Sequence, residues 1–98
     1  MKKGYIIENY SVIDKENYIP PVKVINEILE KYKGKFLVAT PKAEVVSGVP
    51  NEVTIVIEFD STENARAFYH SEDYSEFQKL YNKTTKGWIV ISEEYHKK

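Results

Sequence analysis

The sequence predicts an α+β domain in which strands and helices follow one another in the order β-α-β-β-α-β. Runs rich in β-branched and aromatic residues alternate with stretches of helical periodicity, and Pro, Gly, Ser and Asn residues separate them. The chain has 98 residues, which is enough for one hydrophobic core. Hydrophobic residues make up 42% and charged residues 30%, so we expect a single folded domain over residues 1–98.

The first third of the chain predicts a strand and then a helix. Residues 5–12 are rich in strand-forming side chains, and residues 14–19 predict a separate turn because Pro20 and Pro21 would disrupt a helix interior. Apolar residues at steps of three and four predict a helix that starts near Pro20 and ends at Gly34, a glycine suited to a left-handed C-cap. These apolar residues are Val22, Ile25, Ile28, Leu29 and Tyr32.

The middle of the chain predicts a hairpin. A second strand is expected over residues 36–39 and 43–46, with an interruption at Pro41 because proline cannot donate a hydrogen bond to the ladder. This feature favours an edge position in the sheet. Residues 47–51 are typical of a turn, and the apolar run Val53–Phe59 predicts the third strand.

The last third predicts an interrupted helix and a final strand. Ser61 and Ser71 each begin a capping pattern, so we expect the helix to break near residue 71 and restart. The last strand is predicted over residues 88–92, and Lys97 and Lys98 are expected to form a frayed end. This order matches the ferredoxin-like fold, in which right-handed crossovers place both helices on one face of a four-stranded sheet.

Both faces of the predicted sheet are largely apolar. Alternate residues of a strand point to opposite faces. In the third strand the two sets are Val53, Ile55, Ile57 and Phe59 on one face and Thr54, Val56 and Glu58 on the other. The last strand similarly separates Trp88 and Val90 from Ile89 and Ile91. Since helices cover only one face, we expect a second copy of the chain to cover the other about a two-fold axis.

Segments along nearly the whole chain resemble one protein family. They are Lys3-Gly4-Tyr5-Ile6, Lys33-Gly34-Lys35-Phe36-Leu37-Val38, Ile57-Glu58-Phe59-Asp60-Ser61, and Ala65-Arg66-Ala67-Phe68-Tyr69 with Ser71 and Tyr74. The pattern resembles domain-of-unknown-function family 1330, within the dimeric α+β barrel superfamily. The resemblance implies a homodimer whose two sheets face each other as a barrel, with the helices outside, and it implies no established reaction.

The composition disfavours several classes of function. Fourteen Lys and Arg residues against fifteen Asp and Glu give a formal charge of -1, so no overall field attracts nucleic acid or an anionic membrane. The third strand also lacks the exposed aromatic residues of RNA-binding sheets. The first apolar run ends at Glu8, too early for a signal peptide or a spanning helix, so we expect a cytoplasmic location.

Metal and cofactor chemistry has little support in the sequence. The chain has no cysteine, which removes disulfides, thiolate metal sites and cysteine nucleophiles. The two histidines, His70 and His96, do not have the spacing of zinc or non-haem iron ligands. We expect no cofactor. A haem bound through His70 stays an alternative, because the resemblance includes dimeric α+β barrel relatives that bind haem.

Two residues are candidates for acid–base catalysis. His70 lies at the predicted helix break, and histidine is the side chain most often used for proton transfer, although an exposed junction histidine is the simpler interpretation. Glu58 lies in an apolar strand, where a carboxylate needs either a partner or a raised pKa, and a structural pair is the simpler interpretation. Glu8 raises the same question, but its weaker apolar flanks favour an exposed side chain. The candidate ligand-lining residues are Tyr5, Asn9, Tyr69 and Trp88.

Two functions therefore stay open. The first is a homodimer that binds a small apolar or aromatic ligand in a cleft between sheet and helices, with or without catalysis. The alternative is a structural or interaction dimer with a filled interior and no catalytic activity. The sequence contains no motif that decides between an enzyme and a binding protein.

Overall fold

Four strands form one antiparallel sheet with helices packed on one of its faces. The computed structural model describes residues 2–96. The strands are β1 (Gly4–Val12), β2 (Gly34–Thr40), β3 (Val53–Phe59) and β4 (Thr85–Glu93). The helices are α1 (Asn26–Lys31), α2 (Thr62–Tyr69) and α3 (Glu72–Thr84). The strand order is β2-β3-β1-β4, and all neighbours are antiparallel. This confirms the predicted ferredoxin-like order and the edge position of the second strand.

Strand β1 lies at the centre of the sheet, and its register decides which of its side chains face the helices. Ile6 is paired with Ile57 of β3, and Glu8 is paired with Ile55. Residues paired across two strands lie on the same face of the sheet. Ile6, Glu8 and Tyr10 therefore face the helices, and the residues between them face the opposite side.

The hydrophobic core lies between the sheet and the helices. Burial alternates along β3 as the sequence predicts, with every second residue buried against the helices. From α2, Phe68 packs on Tyr74 of α3 with ring centroids 4.6 Å apart, and on Phe59 of β3 at 5.6 Å. Aromatic rings at these distances contribute beyond the area that they bury. The largest fully buried side chains are Phe59, Phe68, Ile6, Ile25, Leu29, Ile55, Ile57 and Thr84.

The predicted helix break is confirmed by two N-caps. Ser61 Oγ accepts a hydrogen bond from the backbone N–H of Asn64 at 3.1 Å and begins α2. Ser71 Oγ accepts one from the N–H of Tyr74 at 3.2 Å and begins α3. Each serine satisfies a backbone donor that has no partner within its helix.

The first helical region is shorter than its periodicity predicts. A 3-10 turn over Pro21–Lys23 comes first, and α1 begins only at Asn26. The left-handed residue is Lys33, with φ 63°, and not Gly34. Gly34 begins β2, where an added Cβ would lie 2.6 Å from the ring of Phe59. The glycine is therefore required by the close packing of strand and ring, and the prediction of a glycine C-cap was wrong.

The second strand is also shorter than predicted, because it ends at Thr40. Thr40 pairs with Thr54, the second residue of β3, so the partner strand offers almost no further pairing. Residues 43–46 therefore lie in an exposed loop and not in a strand. The prediction of strand structure at 43–46 was wrong. Lys97 and Lys98, for which a frayed end is expected, lie outside the described residues.

We expect Ser61→Ala to lower the free energy of unfolding by about 1 kcal/mol, because it removes the side-chain acceptor at the start of α2. Urea denaturation measures this change. Ser47→Ala, in the exposed loop, is the matched control and should leave the free energy unchanged. An equal effect of the two substitutions would contradict the capping role of Ser61.

Candidate functional site

The two predicted acid–base residues lie on opposite sides of the sheet. His70 is exposed at the C-terminal end of α2, where its backbone N–H donates to the carbonyl of Arg66 at 3.0 Å. Glu58 alternates with the buried residues of β3 and therefore points away from the helices. His70 borders a cleft with Tyr69, whereas Glu58 borders a different one with Lys35. The structure does not bring the two residues together.

Glu58 has partners of its own on the open face of the sheet. The Tyr5 hydroxyl donates a hydrogen bond to its Oε2 at 3.0 Å. The Nζ atoms of Lys35 and Lys3 lie 3.7 and 3.9 Å from Oε1. The hydrogen bond to Glu58 raises the pKa of Tyr5, and burial adds to this shift. These contacts agree with the interpretation of Glu58 as a structural pair.

The four predicted ligand-lining residues do not share one cleft between sheet and helices. By register, Tyr5, Asn9 and Trp88 lie on the open face of the sheet, whereas Tyr69 lies on the helix side. Trp88, on the edge strand β4, nevertheless borders the same cleft as Tyr69. Asn9 stabilises a turn, because its Nδ2 donates to the carbonyl of Val53 at 3.0 Å and its Oδ1 accepts from Asn51 N at 2.9 Å. The ring of Trp88 is 49% exposed.

Glu8 is an acidic side chain that is buried on the helix side of the sheet. Only 8% of this residue is exposed, so the expectation of an exposed side chain was wrong. The reason lies in the register of β1, which pairs Glu8 with Ile55 of β3 and with Ile89 of β4. Glu8 is thus held between two apolar neighbours on the face that the helices cover.

A cleft opens above Glu8 between the sheet and the two C-terminal helices. Its volume is about 420 Å³, and its walls come from β1, β4 and the helices α2 and α3. The residues that matter most for its chemistry are Glu8, Tyr10, Tyr69, Tyr81, Asn82 and Ile89.

Two of the tyrosines in this cleft already have hydrogen-bond partners elsewhere. The Tyr81 hydroxyl donates to the carbonyl of Ile19 at 2.6 Å. The Tyr10 hydroxyl shares a hydrogen bond with that of Tyr18 at 2.8 Å. These hydroxyls are therefore turned toward their partners, and the ring carbons are left to border the cleft.

Burial raises the pKa of Glu8 from 4.5 to about 7. No charge or hydrogen bond from the described residues offsets this desolvation. Every fully enclosed side-chain nitrogen or oxygen atom in residues 2–96 has a hydrogen-bond partner, so the Glu8 oxygens are open to the cleft. Burial also raises the pKa values of Tyr10, Tyr74 and Tyr81, which keeps these neighbours uncharged at neutral pH.

This arrangement can transfer a proton or accept a hydrogen bond near neutral pH. A carboxyl group with a pKa of about 7 is present in both protonation states there, which suits acid–base work. Residues 2–96 contain no group of three or more acidic or histidine side chains placed to hold a metal ion. Within the same residues, no helix is both long and apolar enough to cross a membrane.

A sequence signal for the buried position of Glu8 exists but is weak. Ile6, Glu8 and Tyr10 are two residues apart, so a strand places Glu8 between two large apolar side chains on one face. The adjacent Asn9 is also polar, and polar residues therefore occur on both faces of β1. Only the pairing with β3 and β4 shows which of the two is covered by the helices.

We expect Glu8→Gln to stabilise the protein at alkaline pH. Below pH 4.5 the carboxyl group is protonated in both the folded and unfolded states. Between pH 4.5 and about 7 the unfolded state ionises first, so the free energy of unfolding of the wild type declines as pH rises. Urea denaturation should show that the free energy of unfolding of Glu8→Gln, relative to that of the wild type, increases by about 3 kcal/mol from pH 4.5 to pH 8.

The control for this measurement is Glu76→Gln, which removes the same charge from an exposed side chain on α3. The difference in free energy of unfolding between Glu76→Gln and the wild type should stay nearly constant over the same pH range. A constant difference for Glu8→Gln as well would show that Glu8 is not desolvated in the folded protein.

Comparison with known proteins supports the fold and identifies the family. The crystal structure of a protein of unknown function from Rhodopseudomonas palustris, a structural genomics target, is similar with a TM-score of 0.68. The match covers 99% of this chain and 84% of that one at 11% sequence identity, so it shows the fold alone. No curated protein matches the chain. A family model described as a domain of unknown function, DUF1330, matches residues 3–95. The chain therefore belongs to the DUF1330 family.

Proposed function

We propose that this protein is a homodimer that binds a small organic ligand in the cleft above Glu8. The observation that carries the proposal is the carboxyl group of Glu8, a residue only 8% exposed, which has no partner in the described residues and opens into that cleft. Buried polar groups in proteins nearly always have a hydrogen-bond partner. A ligand that supplies a donor would satisfy this group.

The size and lining of the cleft support a small ligand. A volume of about 420 Å³ falls within the range of about 300 to 1,000 Å³ that is typical of small-molecule sites. Such sites combine apolar and aromatic walls with a few polar groups that orient the ligand. Here Tyr69 and Ile89 contribute the walls, and Glu8 and Asn82 contribute polar groups.

The open face of the sheet supports the homodimer. An apolar row crosses all four strands on this face, because Val38 pairs with Val56, Val56 with Ile7, and Ile7 with Val90. Val90 is 46% exposed. The molecule is only 17 Å thick along its shortest axis, as expected for one sheet and one helix layer. A second copy about a two-fold axis would cover the row with the same row from its partner.

A structural or interaction dimer without a ligand is the second candidate. The observation that favours it is the loop over residues 41–50, whose valines are highly exposed beside the open face. Val46 is 89% exposed and Val49 is fully exposed. In this case the apolar surface alone would determine the function, and the cleft above Glu8 would bind nothing.

We expect light scattering at micromolar concentration to give twice the mass of one chain. Val90→Asp places a charge in the middle of the apolar row and should give the mass of a single chain. Ile13→Asp is the control, because Ile13 is exposed beyond the end of β1 and lies outside the row. A wild-type monomer, or a dimer unaffected by Val90→Asp, would refute the proposed interface.

Ligand binding can be tested by NMR with a library of small neutral aromatic and aliphatic compounds. Compounds that bind should shift the amide resonances of Glu8, Asn82 and Ile89, and leave those of the distant Glu58 cleft unchanged. Ile89→Trp should fill part of the cleft and weaken binding at least tenfold. If no compound shifted the resonances of the cleft, ligand binding would be refuted and the structural dimer would be favoured.

A further inference from the structure

We infer that the ligand of the Glu8 cleft is a small amine cation with a compact apolar or aromatic body. This inference rests on the proposed ligand-binding function and specifies the chemical class of its ligand. Two features of the cleft carry it together, namely a carboxyl group that receives no hydrogen bond from the described residues and the tyrosines that border the same cleft.

The first feature is that the Glu8 carboxyl group receives no hydrogen bond from the described residues. When ionised, Glu8 can only accept hydrogen bonds, and the described residues offer its side chain none. A protonated amine supplies both the missing donors and an opposite charge, and charge-assisted hydrogen bonds of this kind are the stronger ones. A neutral donor would supply hydrogen bonds but would leave the buried charge uncompensated.

The second feature is the aromatic lining. Tyr10, Tyr69 and Tyr81 border the same cleft as Glu8. The Tyr10 hydroxyl is hydrogen-bonded to that of Tyr18, and the Tyr81 hydroxyl donates to the carbonyl of Ile19. Neither hydroxyl is hydrogen-bonded to the Glu8 carboxylate. The face of an aromatic ring carries a negative electrostatic potential that attracts cations, and the attraction increases when the cation is desolvated. A carboxylate among tyrosines is therefore a favourable environment for an ammonium group.

The charged groups around Glu8 do not oppose this assignment. The residues of β3 on the helix face are all apolar. Lys86 borders the cleft, but it pairs with Ser11, which places its side chain on the open face of the sheet. Among residues 2–96, no cationic side chain of the helix face borders the cleft, so an anionic ligand would meet the Glu8 charge without a cation on that face to offset it. The titratable groups that face Glu8 or border its cleft are Tyr10 of β1, Tyr18 of the following loop, Tyr69 of α2, Tyr74 and Tyr81 of α3, and Lys86 of β4.

A matched set of three probes tests the charge of the ligand. Phenethylamine is a cation at neutral pH, phenethyl alcohol is neutral, and phenylacetate is an anion, whereas their aromatic bodies are alike. At pH 8 we expect phenethylamine to bind the wild type at least tenfold more tightly than phenethyl alcohol, with no detectable binding of phenylacetate. NMR titration gives the affinities and shows whether the shifts map to Glu8, Tyr69 and Ile89.

The pH dependence of phenethylamine binding gives a second test. Glu8 has a pKa of about 7, so its ionised fraction rises about tenfold between pH 6 and pH 8. An amine of the lysine type stays protonated over this range. The affinity for phenethylamine should therefore rise by up to about tenfold, and the affinity for phenethyl alcohol should not. His70→Gln should retain this rise, because His70 lies outside the cleft.

Glu8→Gln should abolish the preference for the cation, so that phenethylamine and phenethyl alcohol bind with similar affinity. Glu76→Gln, the exposed control on α3, should keep the preference. The outcomes separate the two proposals. Equal binding of amine and alcohol to the wild type, or tighter binding of phenylacetate, would overturn the cation assignment and leave ligand binding intact. If none of the three probes and no library compound shifted the cleft resonances, both proposals would fail.

Discussion

The central position of β1 is the constraint on which the rest of the molecule depends. Strand β1 is paired on both sides, with β3 and with β4, so its register is set by two ladders at once. A shift of one residue would exchange its two faces. It would bring Asn9 under the helices, where its hydrogen bonds to the turn at Asn51 would be lost, and it would move Glu8 to the open face. The cleft and the open face thus have their present chemistry because of one pairing register.

Glu58 of β3 and Glu8 of β1 lie in neighbouring strands but have opposite electrostatic environments. Glu58 accepts a hydrogen bond from Tyr5 and lies near two lysines, so its environment supports a negative charge. Glu8 has no such partner among residues 2–96, and its desolvation lowers the stability of the folded protein at neutral and alkaline pH. An apolar residue at this position would make the folded protein more stable at neutral and alkaline pH. Groups that reduce stability in this way are common at functional sites, which favours Glu8 over Glu58 as the functional carboxyl group.

The sequence predicted the elements that depend on local pattern and missed those that depend on pairing. The alternation in β3 and the caps at Ser61 and Ser71 are local, and all were correct. Strand structure at residues 43–46 was wrong because β3 has no residues left to pair there. The role of Gly34 depends on the ring of Phe59, which lies 25 positions later in the chain. Among the predicted site residues, Tyr69 and Trp88 do border the cleft. The sequence alone could not show that His70 and Glu58 lie on opposite sides of the sheet, because that depends on the tertiary structure.

Strand β4 connects the proposed ligand cleft with the proposed dimer interface. It is an edge strand paired only with β1, and successive residues point to opposite sides, with Ile89 toward the cleft and Trp88 and Val90 toward the open face. A second copy seated on Val90 would restrict the strand that forms one wall of the cleft. If dimerisation changes ligand affinity through this strand, linkage requires that the ligand change the dimerisation constant by the same factor. The two proposed properties would then be coupled through a single edge strand, without any residue of one subunit contacting the ligand of the other.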